Sequence, residues 1–270
     1  IKKNLCTEST ITQNSGLNLI FRKGITMSGF FSWDRFFENL PKILPRLPLT
    51  FEIVGVSFVF GIVLALLIAC VQIKKTKVIS QLIRVFISFE RGTPILVQML
   101  VVYYALPMLL EGMFAIDTRG WGKIVFVDIA LILNEGAFQA EIFRAAILAI
   151  PKGQTEAALS CGLTHFQAFM RIVLPQAFRL AIPPVGVNLI GLFRSTSLVS
   201  MIGVVDMIGY AQAIGSVSGH TIESYVILAI VFIIINFLLA AAFALIDKNL
   251  NKQGHRKLPA QKSARQGVPV

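Results

Sequence analysis

Residues 53–71 read IVGVSFVFGIVLALLIACV, a run without a single charge, bounded by Glu52 on one side and by Lys74, Lys75 and Lys77 on the other. A bilayer core about 30 Å thick is crossed by roughly 20 apolar helical residues, so this stretch reads as a transmembrane helix. Two more runs have the same character. Thr93 to Leu110 follows Arg84, Glu90 and Arg91, and Tyr225 to Ile246 ends at Asp247 and Lys248. Two further segments are apolar but interrupted: Ile124–Leu148 carries Asp128, Asn134, Glu135, Glu141 and Arg144, and Ile182–Val205 carries Asn188, Arg194 and a Ser-Thr-Ser run. Ionisable groups at membrane depth are costly and seldom face lipid, so these two helices are expected to line the protein interior or a wet pathway. The fold expected is all-α and membrane-embedded, with about five spans near 50–72, 84–110, 123–149, 182–205 and 223–247.

The composition agrees. The chain has 270 residues, 55% hydrophobic and only 14% charged, with a mean hydropathy of +0.74, where a soluble domain has about 25% charged residues. That excludes a disordered chain, a coiled coil and most water-soluble enzymes. Cys6, Cys70 and Cys161 form no CxxC pair and there are only three histidines, which excludes a disulfide framework and a zinc module. No catalytic residue, cofactor or metal is expected.

The net charge of +11 is read through topology. Lys74, Lys75, Lys77 and Arg84 follow span one; Lys152, Arg171 and Arg179 lie between spans three and four; Lys248, Lys252, Arg256, Lys257, Lys262 and Arg265 follow span five. Arg119 and Lys123 are the basic residues of one opposite loop, and Asp206–Ser224 contains none. Because positive loops stay inside, the C-terminus is placed in the cytoplasm. The tail 249–270 is read as a contact for anionic lipid headgroups rather than nucleic acid. Residues 1–26, which put Lys2, Lys3, Arg22 and Lys23 on the wrong side, read as a non-native or disordered leader before Met27. Residues 27–48 read as an amphipathic segment able to lie along the interface.

Between spans three and four, the segment 151–181 is not simply polar. Thr155 can cap a short helix through Glu156, Ala157, Ala158, Leu159, Ser160 and Cys161, with Gly162 as its stop. Thr164 with Gln167 makes a capping-box pattern for a second helix, which Pro175 ends or kinks. Such a small-residue helix at a membrane face suits either docking into a groove of another protein or lying on lipid.

Glu156-Ala157-Ala158, then Gly162, Ile172 and Leu174-Pro175, resembles the EAA signature of permease subunits of binding-protein-dependent ABC importers. Around it, Arg91-Gly92-Thr93-Pro94, Leu96-Val97-Gln98, Asn134, Ala140-Glu141-Ile142, Ile150-Pro151-Lys152-Gly153-Gln154, Pro183-Pro184 and Thr196-Ser197-Leu198 are similar to the polar amino-acid branch of that family (histidine, glutamine, arginine, opine). The likeness runs from Leu40 to Leu250. Glu90, Glu135, Arg194 and Ser195 stand where the family more often has other residues.

The resemblance implies a bacterial inner-membrane subunit of the type I importer core, which forms the translocation pathway as a homo- or heterodimer with a second permease subunit. Separate ABC ATPase subunits sit on its cytoplasmic face, and an extracytoplasmic amino-acid-binding protein delivers the substrate. Cystine is the first substrate to expect, with glutamine and arginine behind it. Consistently, the chain has no GxxxxGK[ST] phosphate loop of its own. The coupling residues implied are Glu156, Ala157, Ala158, Gly162, Leu174 and Pro175. Candidate pathway residues are Gln98, Asn134, Glu135, Asn188, Arg194 and Ser195. Glu135 reads either as a substrate contact or as half of an ion pair with Arg194, whereas Glu141 and Arg144, three apart, read as a local pair. The alternative class is an ATPase-independent secondary transporter or channel for small polar solutes.

Overall fold

The computed structural model describes residues 31–73 and 77–255. The expected leader, the N-terminal basic residues, Lys74, Lys75 and the basic tail beyond residue 255 lie outside the described residues. Every described element is helical.

The first helix, α1 (Trp33–Ile43), starts at Ser32, whose hydroxyl accepts from the Arg35 N–H at 3.5 Å. Phe36, Asn39 and Ile43 recur at helical spacing and are buried, while the opposite face carries the Glu38–Lys42 pair at 2.7 Å. The apolar stripe therefore meets protein, where the sequence allowed an interfacial helix on lipid. The Ser32 N–H donates to the Glu223 Oε1 at 2.8 Å, which pins the start of α1 to the start of the last helix. A 3₁₀ turn over Leu44–Arg46 leads directly into α2 (Leu47–Ile73).

The centre of the fold is the seam between α2 and α5 (Lys123–Leu148). The helices run parallel: Ser57 meets Asp128, Gly61 meets Glu135, Leu64 meets Gly136, and Ala65 and Ile68 cluster with Ala137 and Ala140. Membrane helices lack a hydrophobic drive to associate, so close approach through small residues supplies the packing energy. A Cβ added at Gly61 would lie 2.6 Å from the Glu135 Cβ.

The expected second span, 84–110, is two helices. α3 (Lys77–Gly92) stops before Pro94, and α4 (Ile95–Phe114) begins after it. Proline has no N–H to donate and disfavours the helical region for its predecessor; Pro94 itself is extended, at ψ 134°. α3 lies along the second half of α5, with Ile87 in the Ala137–Ala140 cluster. α4 follows the first half, with the Tyr103 and Phe126 rings 5.7 Å apart.

The coupling segment holds α6 (Lys152–Ser160) and α7 (His165–Ala168), and a π turn over Phe169–Val173 continues into α8 (Leu174–Ser195). Pro175 opens α8 without ending the helix before it, and Pro183-Pro184, expected to begin span four, lie inside α8. The π turn precedes the first proline, and both later prolines are exposed. α8 runs antiparallel to its neighbours, setting Ala177 and Ala181 against Ala146 and Phe193 against Phe232 at 4.9 Å. After a 3₁₀ stretch, α9 (Met207–Ser218) is capped by Asp206, whose Oδ1 accepts from the Gly209 N–H at 2.9 Å. Gly215 lies in the last turn of α9 and Gly219 closes it before α10 (Thr221–His255). Gly219 has φ 71°, and a Cβ at Gly215 would lie 2.9 Å from the Thr221 Cα.

Four stretches, 33–72, 95–114, 165–202 and 221–250, are long and apolar enough to cross a membrane. α5 matches them in length but carries Asp128, Glu135, Glu141 and Arg144, and Phe126, Leu131, Ala137 and Gln139 are buried along it. It is the helix the others surround.

Candidate coupling loop and solute pathway

α6 begins at Lys152, behind Pro151, so Thr155 lies inside the helix and caps nothing. Proline before the first turn presets the backbone and loses no bond there. The other end follows the sequence pattern closely. Gly162 adopts φ 80°, its N–H donates to the Leu159 carbonyl at 2.9 Å, and the Leu163 N–H donates to the Ala158 carbonyl at 3.2 Å. That pair of bonds is a Schellman closure, which needs a left-handed residue and so favours glycine. Thr164 then makes both bonds of a capping box with Gln167, at 3.2 and 3.0 Å. Glu156 and Ala157 are exposed, whereas Ala158 is buried. Leu174 and Pro175 are exposed at the start of α8.

Four of the candidate pathway residues fall into two networks that leave α5 from adjacent positions, toward different helices. In the first, the Asn134 side-chain N–H donates to the Gln98 Oε1 at 2.9 Å and to the Glu90 carbonyl at 3.3 Å. Gln98 Nε2 donates to that same carbonyl at 2.7 Å and to Thr93 Oγ1 at 2.7 Å. This clasp closes the break between α3 and α4, whose freed carbonyls need donors. In the second, the buried Glu135 Oε2 accepts from Gln139 Nε2 at 3.0 Å and from the Asn188 side chain of α8.

Of the two readings of Glu135, the ion pair with Arg194 does not form. Arg194 lies more than one and a half turns beyond Asn188 and is exposed, and two neutral amides take its place at the carboxylate. Ser195 stands apart as well, donating to the Gly191 carbonyl at 3.1 Å, and Thr196 back-bonds to the Phe193 carbonyl at 2.7 Å. Glu141 and Arg144 form the local pair expected, with one of its two bonds at 2.9 Å. His220, which reads as a surface residue in sequence, has its ring 3.1 Å from the buried Glu223 carboxylate.

Sequence reasoning passed over Gln139 and Gly61. Gln139 sits four residues after Glu135 on one helix face, a visible signal. Gly61 is on another helix and had none.

Residues 57–252 match the family described as the binding-protein-dependent transport system inner membrane component. The chain belongs to that family. The match takes in both polar networks and the whole coupling loop, and starts within α2, after α1. This permease is 39% identical over 230 residues to the L-cystine transport system permease protein TcyL of Bacillus subtilis (strain 168), covering 85% of this chain and 96% of that one. It is 32% identical to the nopaline transport system permease protein NocM of Agrobacterium fabrum, covering 79% and 90%. Among solved structures, an amino acid ABC transporter with histidines superposes with a TM-score of 0.73 at 28% identity, covering 81% of this chain and 99% of the other. The MetNI methionine ABC transporter shares the fold, at a TM-score of 0.60 and 18% identity. Family membership favours the binding-protein-dependent importer over the ATPase-independent transporter. The chain is a membrane transport subunit, not itself an enzyme.

Proposed function

We propose that this permease forms the translocation pathway of an importer for polar amino acids, and that α6 couples it to a separate ATPase. The observation that carries the coupling role is the shape of the loop. A nine-residue helix is too short to persist alone, yet here both flanks are fixed by backbone and cap bonds, with Glu156 and Ala157 left outward. A rigid, low-profile ridge of this kind can transmit motion into packed helices that switch between discrete arrangements. Glu156, Ala157, Ala158 and Gly162 build the ridge, and Leu174 and Pro175 start the span it would move.

The excess of Lys and Arg in these loops supports a cytoplasmic position for the ridge and the C-terminus, since positive loops stay inside. The partners are two ABC ATPase subunits, an extracytoplasmic binding protein and a second permease subunit, in a bacterial inner membrane. Amino acids are the substrate class because the matched relatives named above carry cystine and nopaline, and the superposed transporter carries an amino acid. Cystine leads the candidates on the identity to TcyL.

The test is co-purification of the ATPase with the full chain, followed by uptake of radiolabelled L-cystine, L-glutamine and L-arginine in proteoliposomes with the binding protein present. Removal of residues 152–162 should abolish both ATPase capture and uptake. Undiminished uptake by that deletion, or uptake without any ATPase, would overturn the reading.

A further inference from the structure

α3 has two faces of opposite character. Val78, Leu82, Val85 and Phe89 recur every three or four residues and are exposed, as suits a lipid-facing stripe. The other face, Ser80, Arg84, Ser88 and Arg91, turns into an open cleft of about 980 Å³ walled by α3, the end of α2 and the end of α5. Glu141 and Arg144 of α5 also line it; they pair with each other, and the Glu141 carboxylate is close enough to Arg91 to feel its charge. Among the described residues neither Arg84 nor Arg91 is in an ion pair: Arg84 bonds to Gln81, and Arg91 lies 5.4 Å over the Phe138 ring.

Seven residues separate the two arginines, two turns on one face and about 10 Å along the helix. Two polar atoms of the cleft, Gln72 Oε1 and Ser80 Oγ, are buried without a hydrogen-bond partner. The cleft therefore offers planar guanidinium forks that suit a carboxylate and oxygen acceptors that suit an ammonium. Gly92, the last residue of α3, closes the lining at the Arg91 end.

We infer that this cleft is a binding site for a zwitterionic amino acid, with Arg91 receiving the α-carboxylate. The inference rests on the amino-acid reading above. In it, Arg91 takes the carboxylate and Arg84, two turns away on the same face of α3, offers a second fork.

The experiment uses the assembled permease–ATPase complex in nanodiscs, without binding protein, and measures equilibrium binding of labelled L-cystine, L-glutamine and L-arginine. At least one should bind. Arg91→Gln should weaken that binding tenfold or more, Arg84→Gln less, and Arg91→Lys should restore part of it, which a collapsed fold would not do. The decarboxylated amines cystamine and agmatine should fail to compete. Unchanged binding in both Gln variants, equal competition by the amines, no binding of any of the three, or Arg91-dependent binding of dioctanoyl phosphatidylglycerol alone would each overturn the site. Uptake by the complete importer is run in parallel: failure of the wild-type complex to import any amino acid removes the underlying reading, whereas normal uptake by Arg91→Gln removes only the cleft.

Discussion

The coupling loop and the α2–α5 seam are built on opposite principles. The loop is held by bonds between residues at most five apart, such as Leu163 to Ala158 and Thr164 to Gln167, and its outer face is bare. The seam joins residues about seventy positions apart, Gly61 with Glu135 and Leu64 with Gly136, with almost no room to spare. One region is a local shape offered to something else; the other is a global fit that fixes which helices touch. Substitutions that add volume should therefore be severe in the seam and mild in the loop, and substitutions that change backbone preference should do the reverse.

The largest effect is expected from Gly61→Val. Its side chain would have to displace the Glu135 Cβ and the α5 backbone behind it, and overpacking of a tight interior costs about 1–3 kcal/mol, occasionally more. The yield of monodisperse protein in detergent and its thermal midpoint should both fall sharply. Gly153→Val, in the open face of the loop with nothing near a Cβ, should leave both close to wild type. A Gly61→Val protein as stable as wild type would mean that the seam is not the close contact described.

Next comes the polar group set into that seam. Asn188→Ala removes one of the two donors to Glu135, and leaving a buried acceptor short costs about 1–3 kcal/mol. Glu135→Gln keeps the shape and should cost less. If the carboxylate serves only to tie α8 to α5, both variants lower the thermal midpoint in that order while uptake kinetics of the surviving protein stay fixed. If it also meets the solute, Glu135→Gln changes the apparent affinity or the substrate preference at unchanged ATPase coupling.

These two predictions show how far the sequence could be read. The all-helical membrane fold and the three uncharged runs follow from charge gaps, since hydrocarbon length is the same constraint for every chain, whereas α5 and α8 have to be read through the charges they carry. The C-terminal closure of α6 is equally legible because Gly162, Thr164 and Gln167 interact with near neighbours. The partner of Glu135 is not. Charge alone pointed to Arg194, but a helix presents a different side every residue, and Asn188 is the residue that faces α5. The break at Pro94 is legible in the proline itself, although the apolar count runs straight through it. Gly61 carries no signal of its own, because what makes it necessary is a residue on another helix.

In the loop, Gly162→Ala should be the more damaging of two backbone changes. An L-residue at φ 80° costs about 1–2 kcal/mol, concentrated in the turn that holds α6 against α7. Protein yield should be near normal, while uptake and ATPase stimulation by the binding protein should fall several-fold. Gly162→Asn, which tolerates left-handed backbone better, should recover part of the loss. Equal coupling in all three forms would remove the Schellman closure from the transmission path.

Thr164→Ala should have the smallest effect and is the finest test of the contrast. It deletes one bond of the capping box, the 3.2 Å contact from the Gln167 N–H, and leaves the Gln167 side chain still able to accept from the residue 164 N–H. Losing an N-cap hydroxyl costs about 1 kcal/mol, but α7 is four residues long and continues through the π turn into α8, so the helix behind it limits fraying. Thr164→Ser should be indistinguishable from wild type, because the hydroxyl is what matters. The expected signature is local. Hydrogen exchange should quicken at the amides of residues 165–168, with the seam amides and the thermal midpoint unmoved and uptake reduced by no more than about twofold. Faster exchange that spread to Gly136 or Ala137 would mean that loop and seam are one cooperative unit, and that motion of α6 reaches α5 directly rather than through α8.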